Sequence, residues 1–410
     1  MSYQSSQESV LFLGRALHAP WNEGTRVIGR DLARVAGALR PVRTLSLTHE
    51  QYLGQPSDDL AVEHIATRLP YGARGDYAAL RRVAGAAEAI MARERVGVAH
   101  LVGLPLALAP RLRRRGVPVV SHITLARQAY RGPIERLRAA IGWRCFDRWV
   151  DVYACTSENV RAALVAQGYP TAKLRVVRPP IDVGRFHRFD RAAARRALGL
   201  PEEAFLVVYI GTISPLRFPA DTVMRALTLA AEHIPSLSLA LFAPIGTHPY
   251  NLAWAAGHVR RAVALSALPV AIELRDLDEE QKIALYCASD IVLLPFGAPV
   301  AVEPPLTLLE AMACQAVVAA APAANRSQII ADRWNGIAYS SPEDLARHLA
   351  QLHALGQPIQ RALGAAARAS VVERYSFASV AQVLEELWRE LGEARDVDRA
   401  IHPSGVGAAG

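Results

Sequence analysis

Short apolar runs alternate with long stretches of helical periodicity along this chain, and that alternation restricts the fold more than any other feature. Up to residue 180, amphipathic stretches such as 25–39 and 76–95 separate short runs rich in β-branched residues. We interpret the following runs as strands: VLFLG (10–14), VRTLSL (42–47), VAHLV (98–102), VPVVS (117–121), VDVYACT (150–156) and LRVV (174–177). Such alternation predicts βαβ units and a mostly parallel sheet covered by helices on both faces.

A second series of the same kind follows a break. Paired prolines and charges interrupt the pattern at residues 178–190, and strands are then predicted at FLVVYIG (205–211), LSLALFA (237–243), VAIEL (270–274), DIVLLPF (290–296) and AVVAAA (316–321). The sequence therefore predicts an α/β protein of two Rossmann-like, doubly wound domains, at residues 1–180 and 181–375. Residues 376–410 are predicted to form a C-terminal helix packed back towards the first domain, followed by a disordered tail.

The expected place of the ligand follows from this architecture. In open α/β sheets, ligands bind outside the carboxyl ends of the strands, at the point where the strand order reverses. Two such sheets facing one another would form a cleft between the domains. We therefore expect the functional residues in loops that follow strands.

The composition, with 51% hydrophobic and 20% charged residues, is that of a globular chain. No apolar run approaches the roughly 20 residues of a membrane span, and the start of the chain lacks a signal-peptide pattern, so we expect a cytoplasmic protein. The formal charge of +8 suits an anionic small molecule, a lipid headgroup or a nucleic acid equally. The four cysteines show no Cys-x-x-Cys spacing, which favours buried core thiols over disulfides or a zinc site.

The segment AVEPPLTLLEAMACQAVVAA (301–320) places Glu303 and Glu310 on either side of two prolines. Because proline is tolerated only in the first turn of a helix, the helix should begin at about Pro305. Glu303 then lies in the preceding loop and Glu310 lies inside the helix. The first-turn amides of Leu306 and Thr307 would form an anion site. The alternative is structural: Glu303 favours the helix dipole and Glu310 pairs with an arginine.

The segment 301–320 is one of several in this chain that resemble a known protein family. Its second half resembles the nucleotide-binding domain of retaining GT-B glycosyltransferases of family 4, in VVYIGTISPLRFPADTVMRAL, IELRDLDEEQKIALYCASDIVLLPF, LLEAMACQAVVAAAP and IIADRWNGIAYSSPEDLARHL. In the first half, NEGTRVIGRDLARVAGAL and VYACTSENVRAALVAQGYPTAKLRVVRPPIDVGRF are similar to family segments. The resemblance covers roughly residues 10–390.

The resemblance implies a set of donor-site residues. Glu310 matches the glutamate that holds the ribose, and Leu306 and Thr307 match the helix-terminal amides that hold the diphosphate. The basic loop after the domain's first strand corresponds to Gly211, Thr212 and, approximately, Arg217, which would neutralise the leaving diphosphate. The glycine turn near the donor phosphates corresponds to Gly24 and Thr25.

The chain departs from the family pattern at four positions. Val302 aligns with the family's first glutamate, so Glu303 is either a displaced catalytic carboxylate or a loop residue without a chemical role. Pro305 and Gln315 stand where the family usually has glycine, and Thr212 stands where it has arginine.

Three further features carry alternative interpretations. His122 resembles a family histidine near the transferred sugar, although the usual spacing falls on Thr124, and the alternative is a satisfied core histidine. Asp276-Leu277-Asp278 mimics a metal-binding motif, but Asp278 is better interpreted as a helix cap, so we expect no metal site.

The third feature is an arginine-rich region, RLRRR (111–115) and Arg131 to Trp149. It suits either a core-facing helix with a solvated basic side or peripheral contact with an anionic membrane. No base-stacking or groove-reading motif accompanies it, which argues against a nucleic-acid partner.

The resemblance implies a metal-independent, retaining glycosyltransferase, and we expect that it needs no cofactor. It would use a nucleoside-diphosphate sugar as co-substrate and a glycan, lipid or small-molecule acceptor, with Glu303, His122 and Arg217 as catalytic candidates. Two alternatives remain open. One is a catalytically degenerate binding or scaffold protein, and the other is a nucleotide-sugar epimerase on the same fold.

Overall fold

The computed structural model describes residues 8–19, 21, 23–69, 76–125, 143–243, 257, 260, 263–264, 268–299 and 302–401. These residues form two compact units. The first unit contains the chain up to Ala19, Thr25–Pro180 and the chain from Ala378 onwards. The second contains Ile181–Phe377 together with the short segment that ends at Gly24.

The first unit is built on a sheet of seven parallel strands in the order β3-β2-β1-β4-β5-β6-β7. The strands are β1 (Ser9–Arg15), β2 (Val42–His49), β3 (Val62–Thr67), β4 (Val96–Val102), β5 (Val119–Ile123), β6 (Val152–Cys155) and β7 (Leu174–Val176). The described α-helices between these strands are α1 (Gly24–Leu39), α2 (Tyr77–Arg93), α3 (Ala109–Arg114) and α4 (Glu158–Ala166). The central strand β1 is almost wholly buried, as expected for a parallel sheet that is covered on both faces.

The second unit repeats this plan with six parallel strands in the order β10-β9-β8-β11-β12-β13. The strands are β8 (Phe205–Ile210), β9 (Leu237–Ala243), β10 (Val270–Leu274), β11 (Ile291–Leu294), β12 (Val318–Ala320) and β13 (Ile337–Ala338). The described helices are α5 (Arg191–Ala197), α6 (Ala220–Ala231), α7 (Glu279–Ala288), α8 (Leu306–Ala313) and α9 (Pro342–Tyr375), the last interrupted at Gly356. A final helix, α10 (Phe377–Ile401), lies with the first unit beyond its first residue.

The strand order reverses beside β1 in the first sheet and beside β8 in the second. In the first sheet the reversal lies between β1 and β4, and in the second it lies between β8 and β11. Ligands of open α/β sheets bind at such points, outside the carboxyl ends of the strands. The loops that follow β8 and β11 are therefore the first place to look for a site in the second unit.

The predicted α/β class with two doubly wound units is confirmed. The sequence prediction missed the edge strands β3 and β13. It was also wrong about one thiol, because Cys145 is exposed whereas Cys155, Cys287 and Cys314 are buried as expected. No helix in the described part of the chain is both long enough and apolar enough to cross a membrane.

Candidate functional site

The loops after β8 and β11 lie side by side in the second unit. The two strands pair through Ile291 with Val207 and Val292 with Val208. Beyond them, the amide of Gly297 donates to the carbonyl of Leu216 at 2.9 Å. The reversal of strand order thus brings together the two loops in which the donor-site residues were predicted.

The loop after β8 begins at a glycine that the geometry requires. Gly211 has a φ of +153°, and a Cβ there would lie 3.1 Å from the hydroxyl of Tyr209. That hydroxyl donates to the carbonyl of Thr212 at 2.8 Å, which fixes the first turn of the loop. A larger residue at position 211 would therefore disturb the start of the loop.

Arg217, towards the other end of this loop, reaches back to Thr212. The amide of Arg217 donates to the carbonyl of Ser214 at 3.1 Å, which closes a turn. Arg217 Nη1 then lies 3.5 Å from Thr212 Oγ1, a long hydrogen bond. The turn thus joins the two side chains that were predicted to meet the diphosphate.

Helix α8 begins where the prolines predicted. Pro305 is its N-cap, with extended backbone and no side-chain capping bond, and Leu306 is its first residue. The amide of Leu308 donates to the carbonyl of Pro305 at 3.1 Å, so the helical hydrogen bonds start after Leu306 and Thr307. The amides of those two residues precede the helical ladder, as an anion site requires.

Glu310 is buried within α8 and has a tyrosine as its partner. Its side chain is 5% exposed, and Glu310 Oε2 accepts a hydrogen bond from the hydroxyl of Tyr286 at 2.7 Å. Within the described part of the chain no arginine pairs with Glu310, which contrasts with the alternative prediction. Burial, and next the neighbouring Glu310, raises the pKa of Tyr286 well above its ordinary value, so the phenol stays protonated and remains a donor.

Glu303 lies outside the helix, as predicted, but its carboxyl is buried. The residue is 4% exposed, and Glu303 Oε1 accepts a hydrogen bond from the hydroxyl of Ser327. Burial raises the pKa of Glu303, while Ser327 and Arg326 act in the opposite direction. Its peptide bond to Pro304 is cis. The carboxyl of Glu303 therefore lies in the protein interior.

The segment ending at Gly24 approaches the β11–α8 loop within the second unit. A Cβ on Gly24 would lie 2.7 Å from Val302 Cγ2, so this close approach requires glycine. Thr25 belongs to the first unit, where its Oγ1 lies 3.3 Å from Thr124 Oγ1. The structure therefore places the two members of the predicted glycine turn in different units.

His122 lies at the end of β5 in a buried chain of hydrogen bonds. Its Nε2 is 2.7 Å from His100 Nδ1, and His100 Nε2 accepts from the indole Nε1 of Trp388 at 2.9 Å. Burial lowers the pKa of His122 to about 3 and lowers that of His100 well below its ordinary value. His122 is therefore neutral, and His100 satisfies its Nε2.

Asp278 has the structural role that its spacing predicted. It forms a capping box at the start of α7, accepting from the amide of Gln281 at 2.7 Å while Gln281 Oε1 accepts from the Asp278 amide at 3.3 Å. Among the described residues, no cluster of three or more His, Cys, Asp or Glu side chains has the arrangement of a metal site.

The arginine-rich region is described only in part. Residues 131–142, with most of the predicted amphipathic helix, lie outside the described residues. In the described remainder, the guanidinium groups of Arg114 and Arg148 lie 5.4 and 4.8 Å from the Trp149 ring, and Arg113 pairs with Asp151 at 3.2 Å. Contact with a membrane stays a prediction.

Sequence reasoning missed four residues that hold the candidate residues in place: Tyr286, Ser327, His100 and Trp388. Tyr286 stands in a segment that carried the family resemblance, so its position was available as a signal. Ser327 is 24 positions from Glu303, and Trp388 is 288 positions from His100. No spacing rule connects residues so far apart.

Comparison with known proteins finds glycosyltransferase relatives for both halves of the chain. The model of "Glycosyltransferase Family 4" matches residues 42–185, and that of "Glycosyl transferase-like" proteins matches residues 228–386. The D-inositol 3-phosphate glycosyltransferase of Saccharomonospora viridis is 28% identical over 231 residues, which are 53% of this chain and 50% of that protein. The protein of the same name from Mycobacterium tuberculosis (strain H37Ra) is 30% identical over 231 residues, 54% of this chain and 45% of that protein. The chain thus spans about half the length of the curated relatives it matches.

Solved structures agree on the fold. HepE from Anabaena, in complex with UDP-glucose, has a TM-score of 0.72 at 16% identity, covering 93% of this chain and 99% of that one. Sucrose-phosphate synthase from Thermosynechococcus elongatus has a TM-score of 0.73 at 18% identity, covering 94% and 100%. The two family models lie one after the other along the chain, and the structural likeness extends over nearly all of it. The chain therefore has the GT-B fold, and its two halves match glycosyltransferase models, that of family 4 in the first half.

Proposed function

We propose that this protein transfers a sugar from a nucleoside-diphosphate sugar to an acceptor hydroxyl, with retention of configuration and without a metal ion. The observation that carries the proposal is the group at the β8–β11 reversal. A buried carboxylate (Glu310), a loop arginine (Arg217) and a helix start without a side-chain cap all belong to elements that meet there. The carboxylate suits the ribose hydroxyls of a nucleoside diphosphate, and the arginine and the helix start suit its phosphates.

Each part of the donor has a matching group. The Glu310 carboxylate, held by Tyr286 on one oxygen, has further lone pairs that can accept from ribose hydroxyls. The amides of Leu306 and Thr307 and the guanidinium of Arg217 would stabilise the negative charge that develops on the departing diphosphate. These groups supply positive electrostatic potential without a metal ion, and the family resemblance implies same-face attack assisted by the leaving phosphate.

The related proteins suggest which ligands to test first. HepE is described in complex with UDP-glucose, and the curated relatives act, by their names, on D-inositol 3-phosphate. We therefore propose uridine nucleotides as the first donors to test and a phosphorylated cyclic polyol as the first acceptor. A glycan or a lipid is the next acceptor class to test.

Substitution of Glu310 tests the donor site directly. Glu310→Gln can still accept the hydrogen bond from Tyr286 but loses the carboxylate, and we expect it to bind UDP about 10- to 100-fold more weakly, the loss of roughly 1.5–3 kcal/mol for a charged hydrogen bond. Glu373→Ala, at an exposed position of α9, is the control and should leave affinity unchanged. Titration calorimetry with UDP measures both, and equal affinity of Glu310→Gln and the wild type would contradict the ribose assignment.

The burial of Glu303 supports one other candidate, a protein that binds the nucleotide sugar without transferring the sugar. A carboxyl held by Ser327 in the interior is poorly placed to act on substrate. Release of UDP from UDP-glucose only when an acceptor is present would favour the transferase. UDP-glucose binding without turnover over a panel of acceptors would favour the binding protein.

A further inference from the structure

A chain of hydrogen bonds in the first unit fixes which ring nitrogen of each histidine carries the proton. The indole nitrogen of Trp388 can only donate, so His100 Nε2, 2.9 Å away, must be the bare, accepting nitrogen. The single proton of neutral His100 is then on Nδ1. That nitrogen donates to His122 Nε2 at 2.7 Å, so the proton of neutral His122 must lie on its own Nδ1.

The surroundings hold the chain of bonds in one geometry. The His100 ring stacks on Phe12, with ring centres 4.7 Å apart, and meets the Trp388 ring edge-on at 5.9 Å. The guanidinium of Arg40 lies 5.0 Å from the centre of the Trp388 ring, where a cation polarises the indole and strengthens its N–H as a donor. His100 is fully buried and Trp388 is 3% exposed, so water does not compete for these bonds.

We propose that Trp388 and His100 are positioning residues that lock His122 in its neutral Nδ1–H tautomer. In this tautomer, the Nδ1 of His122 at the end of β5 is always a hydrogen-bond donor, which suits an accepting oxygen such as that of a sugar hydroxyl. A histidine without the lock would exchange between tautomers and would offer a lone pair part of the time. The contact with sugar rests on the proposed function, whereas the tautomer does not.

Nitrogen NMR of the full-length protein tests the lock without any substrate. With ¹⁵N-labelled histidine near pH 7, His100 and His122 should each show a protonated Nδ1 and a bare Nε2, and His100→Asn and His122→Asn identify their signals. Trp388→Phe keeps an aromatic side chain, smaller than indole, but removes the N–H donor, so His100 and His122 should become mixtures of tautomers. Trp334→Phe, at a residue that is 69% exposed, is the control and should change neither signal.

Two outcomes would overturn the proposal. One is a protonated Nε2 on either histidine in the wild type, and the other is a Trp388→Phe protein with unchanged tautomers. If Trp388→Phe does not fold, the wild-type spectrum still decides, because it reports the tautomers directly.

A kinetic measurement tests the consequence for the reaction. With UDP-glucose as the donor, Trp388→Phe should lower kcat about tenfold and leave the KM for the donor nearly unchanged, the size of effect expected when one hydrogen bond is lost in the transition state. A purely structural role would lower the fraction of folded protein but not the kcat per folded molecule. If the wild type does not turn over UDP-glucose, the proposed function fails for that donor, and the NMR result still decides the tautomer lock.

Discussion

At the scale of single residues, Gln315 has a backbone conformation that usually favours glycine. Gln315 follows the last residues of α8 with a φ of +58°, in the left-handed region where a side chain is strained. The turn after α8 therefore holds a residue other than glycine in a left-handed backbone conformation.

Gln315→Gly should stabilise the protein. Glycine removes the strain of the left-handed conformation, which should stabilise the folded state by about 1–2 kcal/mol. Part of this gain is offset because glycine gives the unfolded chain more backbone entropy, so the net gain should be about 0.5–1 kcal/mol. The control is Gln351→Gly at an exposed position inside α9, where the same change should cost about 1 kcal/mol. Chemical denaturation of both variants measures the two signs, and a less stable Gln315→Gly protein would show that the Gln315 side chain makes a compensating contact.

At the scale of elements, the packing of α9 on the end of α8 depends on one small residue. A Cβ on Gly364 would lie 2.1 Å from the backbone carbonyl oxygen of Gln315. Backbone cannot move aside as a flexible side chain can. The two helices therefore approach closely only because position 364 has no side chain.

Gly364→Ala and Gly85→Ala should change stability in opposite directions. The first forces α9 away from the turn after α8 and should cost about 1–3 kcal/mol, as overpacking does. The second places a methyl group on α2, where nothing lies within 4 Å, and should gain about 0.5–1 kcal/mol from helix propensity. Thermal unfolding of the two variants beside the wild type gives the comparison. A neutral Gly364→Ala would mean that the turn yields without cost.

Helices and strands could be predicted from the sequence where residues close together in the chain determine them. The start of α8 follows from two prolines, and the cap of α7 follows from Asp278 and Gln281, three residues apart. Strand β3, VEHIAT, was missed because it is an edge strand whose mostly half-exposed residues give no continuous apolar run. The partners of Glu303 and His122 could not be predicted, because tertiary packing alone brings Ser327 and His100 to them.

At the scale of the whole molecule, the described histidines whose pKa values are lowered all lie in the first unit. His18, His64, His100 and His122, all in the first unit, have lowered pKa values, mainly because of burial. Glu303, in the second unit, has a raised pKa, also mainly because of burial. The two units should therefore respond differently to acid.

The first unit should lose stability as the pH falls below about 6.5. His122 has a pKa of about 3 in the folded state against 6.5 unfolded, so between these values the unfolded chain binds more protons and stability decreases with decreasing pH. Each fully buried histidine contributes up to about 1.4 kcal/mol per pH unit in that window. The raised pKa of Glu303 has the opposite sign, since stability there falls as the pH rises through the carboxyl range.

Hydrogen exchange at pH 7 and pH 5 measures this difference. Protection factors, corrected for the intrinsic pH dependence of exchange, should fall more in β4 and β5 of the first unit than in β8 and β9 of the second. Equal loss in both pairs of strands would contradict a leading role for the buried histidines.

Helix α10 follows the second unit in the chain but contributes Trp388 to the first. During synthesis on a ribosome, both histidines of the buried pair emerge before residue 181, whereas the indole that orients their protons emerges only after the second unit is complete. A nascent chain that pauses anywhere between these points would contain both histidines without the indole donor, so their imidazole rings would still exchange between tautomers. The hydrogen bond between Trp388 and His100 is thus a late event in the life of the molecule, and its formation reports that translation has passed through the whole second unit.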